Sequence, residues 1–174
     1  MESQPAISLL RNQFALAHHW VEGTMQDVSP ELAHQHQAGK AHPIGAEYVH
    51  VVTAEDYFIH VILGGGAPLM ASSYAGKTGF DQMPPAGDWS DWARQVKVDF
   101  EPFRQYAQAV YAATDAYLAG LSDADLARPV DLSVLNLGQQ NVGFTLSIIL
   151  LNAAAHAGEI SALKGVNGLR GYPF

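Results

Sequence analysis

The sequence predicts an all-α protein: four long helices packed as a bundle, with one long crossover connection and short extra helical turns. Apolar residues recur at three- and four-residue spacing over four long stretches. Glycine and proline clusters punctuate those stretches where a helix must stop. No sustained apolar–polar alternation points to a half-buried sheet. The pattern extends over the chain as one domain, 1–174, a length that buries roughly two thirds of its unfolded surface.

The first helix is expected over residues 5–27, where Ile7, Leu10, Phe14, His18, Val21 and Met25 share one face. Pro5 suits its first turn, because the N–H that proline lacks has no partner there. Ser29, Pro30 and Glu31 read as a new cap and a short helical turn, and residues 35–42 as a polar loop. The second helix is expected over 43–63, ended by three glycines at 64–66. Its apolar residues cover more than one face, which exceeds the needs of a single core contact. Residues 67–87, rich in Gly, Pro, Ser and Ala, form a long ordered connection able to cross the bundle. Asp88 can cap the third helix, which carries its period from Trp89 to about Leu121, with Pro102 marking a kink or a fresh start after Asp99. Ser122 with Asp125 fits a capping box, and residues 131–140 are irregular. The last helix is expected over 142–164, stopped by the Gly165 to Gly168 stretch.

Composition excludes several functions. A net charge of −8 with only nine scattered basic residues argues against tracking a nucleic-acid backbone. Without cysteine there is no disulfide, thiolate ligand or cysteine nucleophile. Residues 1–5 show no basic n-region, and the apolar stretch 144–155 is interrupted by Thr145, Ser147 and Asn152. The expected location is the cytoplasm, with no membrane partner.

Eight histidines in a cysteine-free chain direct attention to metal ligation. His50 falls in the middle of the second helix and His156 on the last, where Asn152 precedes it by four residues on the same face. By spacing alone these are either core histidines or ligands of one ion. His18, with Glu22 one turn on, reads either as a further ligand or as a polar residue packed at the bundle end. Glu159 reads as an acceptor that orients His156, as a base, or as a helix-surface acid. Gly158 inside a helix suggests close approach of another backbone. His34 and His36 fall in the polar loop and are expected to be solvated.

The stretch His42-Pro43-Ile44-Gly45-Ala46-Glu47-Tyr48-Val49-His50, followed by Glu55-Asp56, resembles the second helix of DinB/YfiT-like proteins. The ending His156-Ala157-Gly158-Glu159-Ile160, then Leu163-Lys164-Gly165 and the tail from Gly168 to Phe174, resembles that family's final helix and tail. The resemblance implies a four-helix bundle of DinB/YfiT-like type and three histidine ligands for a divalent metal, zinc or nickel. Carried over by position, His50 matches the first ligand and His156 the third, while the second falls on Asn152. An amide oxygen is a harder donor than imidazole, so a transition metal is held more weakly unless another group such as His18 contributes.

Two functional expectations follow from the resemblance. One is a metal-dependent enzyme, hydrolase-like or a transferase acting with a low-molecular-weight thiol, whose partners are a small-molecule substrate and that thiol. The other is a degenerate, non-catalytic bundle that binds a small molecule or nothing. The resemblance also implies a homodimer, for which the broad apolar surface of the second helix is a candidate interface.

Overall fold

The computed structural model of the protein describes residues 4–37 and 39–174. The reading of residues 1–3 as free of a leader, and Ala38 within the polar loop, lie outside the described residues.

α1 (Pro5–Thr24) starts with proline in its first turn, as expected. Its first N–H groups find an acceptor from a distant part of the chain: Ala6 and Ile7 donate to the Asp123 carboxylate at 3.2 and 3.0 Å. A carboxylate there also opposes the positive end of the helix dipole. At the other end the buried Lys164 ammonium donates to the carbonyls of Thr24 and Gln26 at 2.7 and 2.8 Å. Burial lowers the Lys164 pKa, and Asp27 counteracts part of that effect. The short α2 (Pro30–Ala33) is capped by Ser29, whose hydroxyl accepts from Leu32 N–H.

α3 (Ile44–Tyr57) continues without a break into a π-helical segment, Phe58–Leu63, so the helix spans nearly the length expected. Residues 44–49 are all buried, as are Val51, Val52, Glu55 and Asp56. Much of the apolar surface of this helix is thus used between neighbouring elements, while Tyr57, Val61, Ile62 and Leu63 near its end remain half-buried.

The long connection after residue 66 is ordered by Asp56, which is fully buried. Its carboxylate accepts from Leu69 N–H (2.8 Å), Met70 N–H (2.9 Å) and the Tyr106 hydroxyl (2.8 Å), and lies 2.8 Å from His60 Nδ1. The connection then bridges Phe80 to Val98 and enters α4 (Ser90–Ala93). The expected third helix is two elements, because the chain breaks after α4 and restarts as α5 (Phe100–Ala119) with Asp99 as its cap. Of the two readings of Pro102, a fresh start after Asp99 is the one observed.

Ser122 and Asp125 form the expected hydrogen bond, Ser122 N–H to Asp125 Oδ2 at 2.8 Å, at the start of a one-turn 3-10 helix. The stretch expected to be irregular contains a small antiparallel pair, β1 (Pro129–Asp131) with β2 (Gln139–Asn141). Strands of three residues are too short to show alternation in a sequence. α6 (Val142–Val166) is capped by Asn141, whose side chain accepts from Phe144 N–H at 2.8 Å. By length and composition alone α6 could cross a membrane; here it packs against α1 and α3. It exposes Phe144, Leu151 and Val166 on its outer side.

The protein is thus mostly helical, a bundle of α1, α3, α5 and α6 with short added turns. One apolar cluster (Phe14, Ile59, Leu118, Val142, Leu146, Ile149) fills the far end. The larger cluster, around Tyr48, Phe103, Tyr106 and Ile160, fills the end where α3 begins and α6 approaches its close. The tail folds back over α1 and α6: Pro173 lies where a Cβ on Gly23 would be, 2.8 Å from it. At Gly158 the approaching group is the Tyr172 hydroxyl, 3.4 Å from a would-be Cβ, and not a backbone as the sequence suggested.

Asp56→Ala removes the acceptor of two backbone N–H groups and a buried hydroxyl at once. It should lower the unfolding free energy in urea by about 3 kcal/mol, since each orphaned donor keeps its desolvation cost. A loss below about 1 kcal/mol would mean that the connection does not depend on this carboxylate.

Candidate metal centre

α3 and α6 lie side by side, and each contributes a carboxylate and an imidazole three residues apart: Glu47 and His50 from α3, His156 and Glu159 from α6. An i,i+3 spacing sets both members of each pair on one helix face. Glu47 also lies in the first turn of α3, where the helix dipole favours an anion. His42 precedes α3, and Trp89 is the N-cap residue of α4.

Two carboxylates converge on a single nitrogen. His156 Nδ1 lies 2.5 Å from Glu159 Oε2 and 2.6 Å from Glu47 Oε2. Nδ1 carries at most one proton, and its hydrogen-bond geometry directs that proton to Glu159. Glu47 Oε2 is left buried and without a hydrogen-bond partner, while its other oxygen lies 3.0 Å from His42 Nδ1. The three ligand atoms of Glu47, His156 and Glu159 all fall within 4.8 Å of one another.

The charges follow from this arrangement. Burial disfavours a charged His156, but the Glu47 and Glu159 carboxylates outweigh it and raise its pKa above the ordinary histidine value. Burial likewise pushes Glu47 up, and its contacts with His156 and then His42 bring it below the ordinary carboxylate range. His50 behaves oppositely. Burial first, then the neighbouring charge of His156, lower its pKa to about 4. His50 is therefore a neutral donor at physiological pH, as ligation requires.

The residues present fit a divalent cation. Glu47 Oε2 accepts no well-aligned hydrogen bond, yet it lies 2.6 Å from a His156 ring drawn to the charged form, and a dication would take the place of that positive charge. One imidazole with two carboxylates is a donor set of mixed softness suited to first-row divalent ions. Glu159, whose side chain is 55% exposed, leaves the group open to solvent on one side.

Of the residues singled out by sequence, His50 and His156 are brought together, their rings 4.8 Å apart and edge to face. Asn152 favours the protonated His50 ring without offsetting burial. Glu159 reaches His156. His18 is engaged elsewhere: its Nε2 lies 2.9 Å from Glu55 Oε1, and its ring stacks on Tyr111 at 3.8 Å. His34, expected to be solvated, bonds at both nitrogens, with Pro30 O near Nδ1 and Val98 N–H donating to Nε2. Sequence reasoning missed Glu47, His42 and Trp89. A usable signal was present, since Glu47-x-x-His50 and His156-x-x-Glu159 are mirrored pairs of the kind that bundle metal sites draw upon.

Residues 13–160 match the DinB superfamily. The chain belongs to that superfamily. A crystal structure of a conserved Enterococcus faecalis protein is similar in fold, with a TM-score of 0.76 and 20% identity over 92% of this chain and 96% of that one. No curated protein matches. Asn152 stands on α6 where the sequence resemblance implied a histidine, and Glu47 lies on α3 one turn before His50.

The two imidazoles titrate in opposite directions. Unfolded chains protonate His50 near 6.5 while the folded protein resists until about 4, so its share of stability falls as pH drops through that window. His156 has a raised folded value, so its share is full below 6.5 and is lost as pH climbs through the folded value. NMR titration of the ring protons of metal-free protein should give a His50 midpoint well below that of His156. A His50 midpoint at or above that of His156 contradicts the arrangement.

Proposed function

We propose that the protein is a cytoplasmic, divalent-metal-dependent DinB enzyme whose centre is built on Glu47, His156 and Glu159, with His50 beside them. The observation that carries this reading is the convergence of Glu47, His156 and Glu159, whose ligand atoms all lie within 4.8 Å of one another. A dication held there would act as a Lewis acid and lower the pKa of a bound water or thiol. With no cysteine in the chain, a thiol nucleophile would arrive as a small molecule.

The protein's own residues divide the remaining work. Glu47 spans His42 and His156 and orients both rings. Before a metal is bound, Glu159, half-exposed at the edge of the group, can carry the His156 proton to solvent and so free the ring for ligation. Two carboxylates beside one imidazole move the preference from nickel toward ions at ease with oxygen ligands, zinc and manganese among them.

Calorimetric titration of untagged, metal-stripped protein should show one Mn²⁺ or Zn²⁺ per chain. Glu47→Gln and His156→Gln should each weaken it by at least about tenfold. Protein that binds neither ion contradicts the reading.

A second reading, a degenerate and non-catalytic bundle, is favoured by Asn152 at the position where the family pattern has histidine. Asn152→His separates the two. A large rise in metal affinity over a parent without measurable binding supports degeneracy, and a parent already saturated at micromolar metal opposes it.

A further inference from the structure

Two neighbouring helices present an uncharged face to the outside. On α6 the exposed line runs through Phe144, Ser147, Leu151 and Ala154. Phe144 and Leu151, and likewise Ser147 and Ala154, stand seven residues apart, the repeat by which one helix packs along another. No Asp, Glu, Lys or Arg occurs from Val142 to Gly158. On α1 the matching line is Leu9, Gln13, Leu16 and Trp20, while Arg11, the one basic residue of that helix, is turned away to Asp115 of α5. Leu16 and Leu151, one from each helix, stand 54% and 70% exposed. Beside them is a groove of about 280 Å³ lined by small side chains, Ala17, Ala153, Ala154 and Ala157 among them.

The chain itself shows what this kind of surface accepts. The α6 line continues through Gly158 and Ser161, and there the tail lies on it, with the Tyr172 hydroxyl against Gly158 and Gly171 against Ser161. Trp20 of α1 meets the Tyr172 and Phe174 rings at 5.9 and 5.1 Å. Aromatic cover thus closes one end of the α1–α6 groove. The other end, from Leu16 to Leu9 and from Ala154 back to Phe144, has no such cover among the described residues.

Charge, shape and size point to one occupant. The chain carries a net charge of −8, so two copies repel each other unless they meet through an uncharged face, and this face is uncharged. A lipid surface fits poorly, because helices that lie on one carry Lys and Arg to meet the headgroups, and none stands on these two lines. The face also holds its own complement. A twofold rotation lays the protruding leucines of one copy over the groove of the other, and such a contact closes at two copies. The bare part is about 18 Å along each helix and about 20 Å across the pair. That footprint, roughly 400 Å², is about half of the roughly 800 Å² per partner in a standard interface, which sets the pairing in the micromolar range.

We propose that a second copy of this chain docks on the α1–α6 face, about a twofold axis near Leu151, to make a weak homodimer. The sequence placed a homodimer interface on the second helix instead, whose apolar residues are largely covered by neighbouring elements. The pairing is independent of the metal centre.

Sedimentation velocity of the untagged full chain, from about 1 to about 300 µM, should show the mass rising from 18.7 kDa toward twice that value. Leu151→Glu and Leu16→Glu should each weaken the pairing by at least about tenfold, since each places a carboxylate in an apolar contact. Both side chains are exposed in the single chain, so helix content and the thermal midpoint at low concentration should match the parent. Leu151→Met, which keeps the apolar ridge, should pair as the parent does. A parent that stays at 18.7 kDa throughout overturns the proposal. So does a dimer that survives both glutamate variants, or a mass that climbs past two copies. Flotation with phosphatidylcholine–phosphatidylglycerol vesicles tests the other occupant: a parent that floats, beside a Leu151→Glu variant that does not, gives the face to lipid and overturns the proposal as well. If Leu151→Glu loses helix content, Leu151→Gln and Leu16→Gln carry the same comparison.

Discussion

A carboxylate taken out of water inside a helical bundle must find donors, and α3 carries three such residues. Asp56 finds two backbone N–H groups, a tyrosine hydroxyl and the His60 ring. Glu55 finds His18 and the Thr114 hydroxyl. The half-buried Glu22 on α1 answers the same constraint by accepting from both Tyr48 and Tyr111. These partners come from α1, α5 and the long connection, so satisfying the acids of α3 also joins the elements around it. Glu47 is the exception, since one of its oxygens has only the His156 ring, 2.6 Å away and aimed at Glu159, to face it. Among the carboxylates named here, Glu47 is thus the one whose burial is matched by an ion pair rather than by well-aligned donors.

That contrast also explains the electrostatic division of the centre. His156 is drawn to the charged form by two acids, whereas His50, a few ångströms away, is held neutral by burial and by the charge on its neighbour. Asn152 fits this division better than a third imidazole would, because it offers His50 a neutral amide and adds no further titrating ring beside His156. Asn152, at the position where the resemblance implied a histidine, thus coincides with two carboxylates close by. Membership of the superfamily rests on the match over residues 13–160, and the Enterococcus faecalis structure adds the fold alone.

The helices were legible because each buries a face, and burial leaves a period. Phe14 and Val21 on α1, and Phe103 and Val110 on α5, are core residues where their spacing placed them. The start of α6 at Val142 was legible and its end fell within two residues of the expected glycine stop, but the Asn141 cap was not read. Features decided by distant partners were not. The break between α4 and α5 depends on Asp99 and on the bridge of Phe80 to Val98, and the three-residue strands have no pattern of their own. The wide apolar surface of α3 was visible, but not that neighbouring elements cover residues 44–49 completely and its far end only in part. In the centre, the imidazoles drew attention and the acids did not. Glu47 reads as an ordinary helix-surface acid until α6 and His42 are seen to enclose it. His18 was legible as buried; only the fold pairs it with Glu55 across the bundle.

The central claim is that Glu47, His156 and Glu159 together demand a dication. Anomalous diffraction from crystals grown with Mn²⁺ tests it most directly. The account predicts a peak bounded by the carboxylates of Glu47 and Glu159 and the His156 ring, lost in Glu47→Gln crystals. Full occupancy elsewhere, with Glu47 still unpartnered, would contradict it.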